Sequence, residues 1–163
     1  MIAFDLRTGA VHWAFRGAGA DARELACGNL PPEVTWCAPA NLFSVWDFAG
    51  SGANVFTTRI DKHKRRVVGI GQKTGLYWLL DAATGEYLWS TLVGPGSDPG
   101  GIQWGTAYDG DRIYAAIGHN TGQAYTLPSG EVITGGSWQR SILRRERFSG
   151  RLRTRRGRRI SLR

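Results

Sequence analysis

The feature that most constrains the fold of this sequence is a nine-residue pattern, D-x-x-T-G-x-x-x-W, which occurs twice, beginning at Asp5 and at Asp81. In such a pattern the Asp accepts hydrogen bonds from the backbone just after it, the Thr supports the turn, and the Gly supplies a positive φ. Alternating apolar residues precede each copy, and an apolar run follows each Trp. Each copy therefore predicts a β-hairpin whose second strand carries a Trp that docks on a neighbouring sheet. Two matching copies indicate repeated β-sheets.

Further strand patterns lie around the second copy. Residues 53–93 read as a four-stranded antiparallel meander, and residues 102–117 as a hairpin with a turn at Asp109–Asp111. Residues 2–15 supply half of another meander. Residues 16–52, rich in Gly, Ala and Pro, are predicted to form one long connecting loop.

This layout of half, whole and half sheets is that of β-propeller blades. We therefore predict an all-β fold, a partial β-propeller with about two blades' worth of four-stranded antiparallel sheets over residues 1–138. Because propellers need at least about four blades to close, we expect that the chain does not close one alone.

Composition agrees with this fold class. The chain has 163 residues with 23 Gly and 7 Trp, a profile that favours a turn-rich β protein over a helical bundle.

No apolar stretch approaches the roughly 18 residues of a membrane helix. Asp5 and Arg7 fall where a secretory signal would be apolar, so we predict no signal peptide.

The net charge of +8 arises at one end of the chain. Residues 139–163 contain eleven Arg and one Glu, which leaves 10 basic and 12 acidic residues in positions 1–138. Such a charge block predicts a disordered tail. An arginine-rich tail can contact phosphates. Phe148 is its one aromatic residue, however, which disfavours a nucleic-acid partner.

The two cysteines, Cys27 and Cys37, leave two alternatives open. They form a disulfide in an oxidising compartment, or they are two free, partly buried thiols. The three histidines are scattered and no C-x-x-C pair occurs, which argues against a zinc site.

The glycine-rich stretch GIGQKTGLYWLLD, residues 69–81, superficially suggests a phosphate-binding loop. That motif needs a Gly before the Lys and a helix after it, whereas Gln72 precedes Lys73 and a strand pattern follows. The stretch is better read as a turn between two strands, so a nucleotide-binding role is not predicted.

The sequence resembles a known family at several of these motifs. The segments are AFDLRTGAVHWAFRG, WDFAGSGANVF, GQKTGLYWLLDAATGEYLWSTLVGPG and GGIQWGTAYDGDRIYAA. Together they resemble the pyrroloquinoline-quinone (PQQ) dependent dehydrogenases, in particular the polyvinyl-alcohol dehydrogenase-like branch, over residues 2–138. The turn pattern also occurs in non-enzymatic propellers.

The resemblance implies an alcohol-oxidising quinoprotein. In that family an eight-bladed propeller holds PQQ near a divalent metal, often calcium, and an Asp takes the hydroxyl proton while hydride passes to the quinone. The substrate would be a small-molecule or polymeric alcohol, with cytochrome c as a possible electron acceptor. Proteins of this family are periplasmic. Because we predict no signal peptide, the location expected for this chain as it stands is unknown or cytoplasmic.

The resemblance also implies site residues. Lys73 matches the family's cofactor-facing basic position, the alternative being a solvated turn lysine. Trp104 in GGIQWG would line the cofactor cavity, with a core or docking Trp as the alternative.

Asp47 in WDFAGSG resembles the family's aspartate and would be the catalytic base, or else a capping Asp. Asp21 and Glu24 would be metal ligands, although the neighbouring Arg23 and Leu25 depart from the family pattern.

The resemblance breaks at both ends. Met1 enters in the middle of a blade, and after ITGGSW the expected repeat gives way to an arginine-rich stretch. We expect that the chain is a truncated or frameshifted product, inactive alone. Two other hypotheses stay open: a non-catalytic propeller-repeat scaffold for protein interaction, and a nucleic-acid-binding protein acting through its tail.

Overall fold

A computed structural model describes residues 1–17, 52–60, 62–97, 100–127 and 129–142, with three short strands between residues 146 and 160. The long segment 18–51 lies outside the described residues, so the predicted loop over 16–52 and the alternatives for Cys27 and Cys37 stay predictions. Within the described residues every regular element is a β-strand, which confirms the predicted all-β class.

The described residues form fourteen strands. They are β1 (Ile2–Phe4), β2 (Val11–Ala14), β3 (Asn54–Ile60), β4 (His63–Gly71), β5 (Leu76–Asp81), β6 (Tyr87–Leu92), β7 (Thr106–Tyr108), β8 (Arg112–Ile117), β9 (Tyr125–Thr126), β10 (Val132–Ile133), β11 (Ser137–Ile142), β12 (Glu146–Phe148), β13 (Leu152–Arg153) and β14 (Arg159–Ile160).

Three sheets carry the architecture, and all of their strands pair antiparallel. The first is β1–β2, the second is β3–β4–β5–β6, and the third has the order β7–β8–β11–β12. The second sheet is the meander predicted over 53–93, and β7–β8 is the hairpin predicted over 102–117. The hairpin β9–β10 is inserted between β8 and β11.

Strand β11 runs across position 138, so the third sheet continues into the first residues of the arginine-rich segment. Ser137 pairs with Ile117 at one end of this ladder, and Ile142 pairs with Arg112 at the other. Strands β12, β13 and β14 lie further along the same segment.

The main core lies between the second and third sheets. Strands β4 and β5 contribute Val67, Tyr77 and Leu79, and β8 contributes Ile113 and Ala115, all fully buried. The edge strands β3 and β7 of the two sheets meet where the rings of Phe56 and Tyr108 stack at 4.1 Å between centroids. Face-to-face packing with adjacent first strands is the arrangement expected of neighbouring blades in a partial β-propeller.

The two sequence repeats form the same turn. Asp5 Oδ1 accepts hydrogen bonds from the Arg7 and Thr8 N–H groups at 3.0 and 2.8 Å. Asp81 Oδ1 does the same for the corresponding N–H groups of Ala83 and Thr84 at 2.9 and 3.2 Å. The bond from the Thr8 N–H contributes most to lowering the pKa of Asp5. The role predicted for the Asp is therefore confirmed in both copies.

The Trp of the first repeat docks on the turn of the second. The Trp13 indole N–H donates to the Ala82 carbonyl at 3.1 Å, and its ring lies directly over Gly85. Beside it, Phe15 packs edge-on against Trp78 with 5.5 Å between ring centroids. These contacts lie at β5 and the turn after it and join the first sheet to the second.

We predict that Gly85→Ala destabilises the protein by about 2–4 kcal/mol. A Cβ at this position would lie 2.6 Å from the Trp13 ring, and the residue has a φ of +74°. Gly9→Ala is a matched control, because Gly9 has a φ of +73° but nothing within 4 Å of the added Cβ. Gly9→Ala should lower the free energy of unfolding by only about 1 kcal/mol, the cost of placing a non-glycine residue at a positive φ. Urea unfolding measures both; equal losses would show that Trp13 docking contributes nothing.

We also predict a loss of stability above pH 10 that depends on Tyr77. Burial raises the pKa of the Tyr77 hydroxyl well above its ordinary value of 10.0. At a pH between 10 and the raised pKa of the folded chain, the unfolded chain releases the Tyr77 proton and the folded chain retains it. The free energy of unfolding therefore falls by up to about 1.4 kcal/mol per pH unit. Urea unfolding from pH 9 to 11 should show a shallower fall for Tyr77→Phe, and parallel curves would contradict the prediction.

Candidate functional site

Lys73 lies in the turn between β4 and β5, at the end of the second sheet that we call the upper end. The upper end consists of this turn, residues 72–75, and the described residues of the connection from β6 to β7, which are 93–97 and 100–105. The connection hydrogen-bonds to the turn at two points. The Ile102 N–H donates to the Gln72 carbonyl at 3.1 Å, and the Val93 N–H donates to the Gly75 carbonyl at 2.8 Å.

Local hydrogen bonds fix the shape of the Lys73 turn. Gln72 Oε1 accepts from the Thr74 hydroxyl at 3.1 Å and from the Trp78 indole N–H at 3.0 Å. The Thr74 hydroxyl in turn accepts from the Leu76 N–H at 3.2 Å. Gln72 and Thr74 are both buried. The predicted turn between two strands is confirmed, and its two buried polar side chains bond each other.

Glycines of the connection pack against the turn at distances that exclude side chains. A Cβ at Gly101 would overlap the Lys73 carbonyl, and Gly101 has a φ of +58°. A Cβ on Gly96 would lie 3.0 Å from the same carbonyl. Gly101 also exchanges two 2.9 Å backbone hydrogen bonds with Gly118, at the end of β8. The backbone of Lys73 is therefore enclosed while its side chain is only half-buried.

Trp104 belongs to the same connection, two residues beyond the bond from Ile102 to Gln72. Its side chain is 81% exposed. Trp104 is therefore not part of the core that the described residues form. The structure brings the Lys73 turn and the Trp104 segment to the same end of the sheets, and their roles toward a cofactor stay predictions.

The other predicted site residues, Asp47, Asp21 and Glu24, lie outside the described residues. In the part of the chain that the structure describes, no cluster of three or more His, Cys, Asp and Glu side chains could hold a metal ion. That part also contains no helix with the length and hydropathy needed to cross a membrane.

His119 adjoins the upper end through Gly118, which bonds to Gly101, and the sequence analysis did not single it out. It follows Gly118 and is 7% exposed, and its Nε2 lies 2.7 Å from the Gln123 carbonyl. A carbonyl only accepts, so Nε2 carries the proton in the neutral ring, and Nδ1 is left as a buried acceptor that receives no hydrogen bond from the described residues. A lone His gives no sequence signal; the spaced glycines at positions 94, 96, 100 and 101 are the signal that could have located the site.

The opposite end of the second sheet contains a polar cleft of about 240 Å³. Its lining includes Arg59 and Lys64 from β3 and β4, with Tyr108 and Asp111 from the β7–β8 hairpin. None of the residues proposed from sequence lines this cleft, so the candidate site remains the upper end.

Comparisons with known proteins relate the chain to alcohol dehydrogenases. It is 30% identical over 121 residues to a polyvinylalcohol dehydrogenase of a Pseudomonas species, and 31% identical over 125 residues to a polyvinylalcohol dehydrogenase of Sphingopyxis sp. strain 113P3. The alignments cover 72% and 76% of this chain but 17% and 18% of the two relatives. The chain thus spans less than a fifth of their length.

No protein-family model matches the sequence, and no solved structure matches it significantly. The similarity to the two dehydrogenases therefore stands on the sequence alignments. It supports a distant relationship to alcohol oxidoreductases of the kind that the sequence motifs suggested.

Proposed function

We propose that this chain is a segment of a PQQ-dependent alcohol dehydrogenase and that its upper end faces the cofactor. The observation that carries the proposal is the Lys73 turn, which presents a cation from a backbone enclosed by glycines. Similarity to two polyvinylalcohol dehydrogenases over about three quarters of the chain supports the reaction class.

The described residues of the upper end fit a quinone of this kind. PQQ is planar and carries carboxylates as well as quinone oxygens. The Lys73 ammonium would hold one of these oxygens and stabilise negative charge on it. The exposed indole of Trp104 offers a flat apolar surface beside the ring system. When bound, the cofactor supplies the hydride acceptor, and the chain's residues orient it.

The remaining roles rest on the resemblance. Asp47 would take the proton of the alcohol hydroxyl, and Asp21 and Glu24 would bind a calcium ion beside the cofactor. The substrate would be an alcohol, small or polymeric, as the names of the two relatives suggest. In the complete protein the proposal includes cytochrome c as the electron acceptor and a periplasmic location.

Rigidity gives Lys73 a physical advantage over a lysine on an ordinary loop. The two backbone bonds from Ile102 and Val93 fix the turn, so less conformational freedom is lost when an anionic group binds. A non-catalytic scaffold would have no use for this arrangement and would tolerate loss of the lysine.

We predict that PQQ binds the purified chain in the presence of calcium and that Lys73→Met weakens binding roughly 10- to 100-fold, the effect of losing one charge-assisted hydrogen bond. Equilibrium dialysis measures the affinity directly, and quenching of tryptophan fluorescence provides a second readout.

Lys62→Met is the matched control, because Lys62 is an exposed lysine in the β3–β4 turn at the opposite end of the same sheet. It should leave the affinity unchanged. Equal affinities for the Lys73→Met and unmodified chains, both folded by circular dichroism, would remove Lys73 from the site and favour the scaffold hypothesis.

A further inference from the structure

The polar cleft at the end of the second sheet away from Lys73 has no part in the proposed function. Its volume of about 240 Å³ is below that of the cavities that hold drug-sized molecules. Arg59 and Lys64 line it, and both residues are exposed, so a solute can reach them from the solvent. The cleft is therefore suited to a small ion or molecule.

The two basic residues of the cleft face each other across neighbouring strands. Arg59 on β3 and Lys64 on β4 are directly paired in the antiparallel ladder, so their side chains leave the sheet on the same face. Like charges in this arrangement repel each other and destabilise the sheet. An anion bound between the two cations would replace this repulsion with attraction.

The described carboxylates do not neutralise this pair of cations. Among the described residues, no carboxylate forms an ion pair with Arg59 or Lys64. Asp111 is the carboxylate among the described lining residues, and it lies 3.6 Å from Nε of Arg112, outside the lining. The described lining thus contains two basic side chains and one acidic side chain, which already has a cationic partner.

The β7–β8 side of the cleft is held in place by its own hydrogen bonds. The Tyr108 hydroxyl donates to the Gly110 carbonyl at 2.6 Å. Asp109 Oδ1 closes the turn by accepting from the Asp111 and Arg112 N–H groups at 2.9 and 2.8 Å. This wall is therefore formed before any ligand arrives, and little of its conformational freedom is lost on binding.

We propose that this cleft binds a phosphate group, either free inorganic phosphate or the phosphoryl end of a small monoester. The Arg59 guanidinium would hold two of its oxygens and the Lys64 ammonium a third. The hydroxyls of Thr57 and Thr58, which also line the cleft, are further donors. A phosphoryl group carries a charge of about −1.5 to −2 at pH 7. It therefore matches two cations better than the single charge of a carboxylate does.

The test measures the binding of radiolabelled inorganic phosphate to the whole purified chain by equilibrium dialysis, in a phosphate-free buffer of low ionic strength. Saturable binding is expected. Arg59→Gln should weaken it roughly 10- to 100-fold, the effect of losing a bidentate charge-assisted contact, and Lys64→Gln roughly tenfold.

Arg7→Gln is the matched control, because it removes the same charge from an exposed position in the first hairpin. It should leave the affinity for phosphate unchanged.

A second measurement separates a binding site from general screening of charge. Phosphate should raise the urea midpoint of the chain more than chloride does at the same ionic strength, because it binds the folded state. Arg59→Gln relieves the repulsion from Lys64, so without phosphate this variant should be at least as stable as the unmodified chain. It should lose the additional stabilisation by phosphate.

Competition by glycerol phosphate distinguishes the two sources of the group. Tighter binding than that of inorganic phosphate would identify a monoester as the ligand, and weaker binding would identify the free ion. The proposal is overturned if neither compound binds saturably, if Arg59→Gln and Arg7→Gln bind phosphate alike, or if chloride stabilises the chain as much as phosphate does. Because the cleft and Lys73 lie at opposite ends of the second sheet, either proposal can fail without the other.

Discussion

The contact of Trp13 with Gly85 is the constraint on which the packing of the first two sheets depends. A hydrogen bond joins Trp13 to Ala82, 69 positions along the sequence, and the ring of Trp13 packs on Gly85, three residues further on. The first sheet has only two strands, fewer than are needed for independent stability in water. Its place against the second sheet therefore depends on the Trp13 and Phe15 contacts rather than on its own hydrogen bonds.

Glycine residues also determine the backbone geometry of the candidate site. At the upper end, backbone packs on backbone, because side chains on the connection from β6 to β7 would overlap the Lys73 turn. The same turn carries a half-buried cation. A charge on a rigid backbone keeps its position when an anion binds, and preorganised charge is what stabilises negative charge developing on a substrate or cofactor.

Much of the fold could be predicted from sequence because its signals are local. The Asp, Thr and Gly of each repeat determine the turn through bonds within five residues, and strand alternation shows which faces are buried. The sequence predicted that Trp13 docks on a neighbouring sheet. It could not identify Gly85 as the residue contacted, because the two residues lie far apart in the sequence. The candidate site could be predicted only in part. The motif located the Lys73 turn, but the burial of His119 and the exposure of Trp104 depend on tertiary packing, which no local sequence pattern shows.

The separation of contacts along the chain also has a consequence for the order of folding. Strands β3 to β6 are joined by short turns, so their pairing closes small loops and is expected to form early. Docking of Trp13 must instead close a loop that includes the whole segment 18–51, at a larger entropic cost. The second sheet should thus be complete before the first hairpin attaches, and a partly folded chain would leave Gly85 and the Trp78 ring uncovered until Trp13 and Phe15 dock on them.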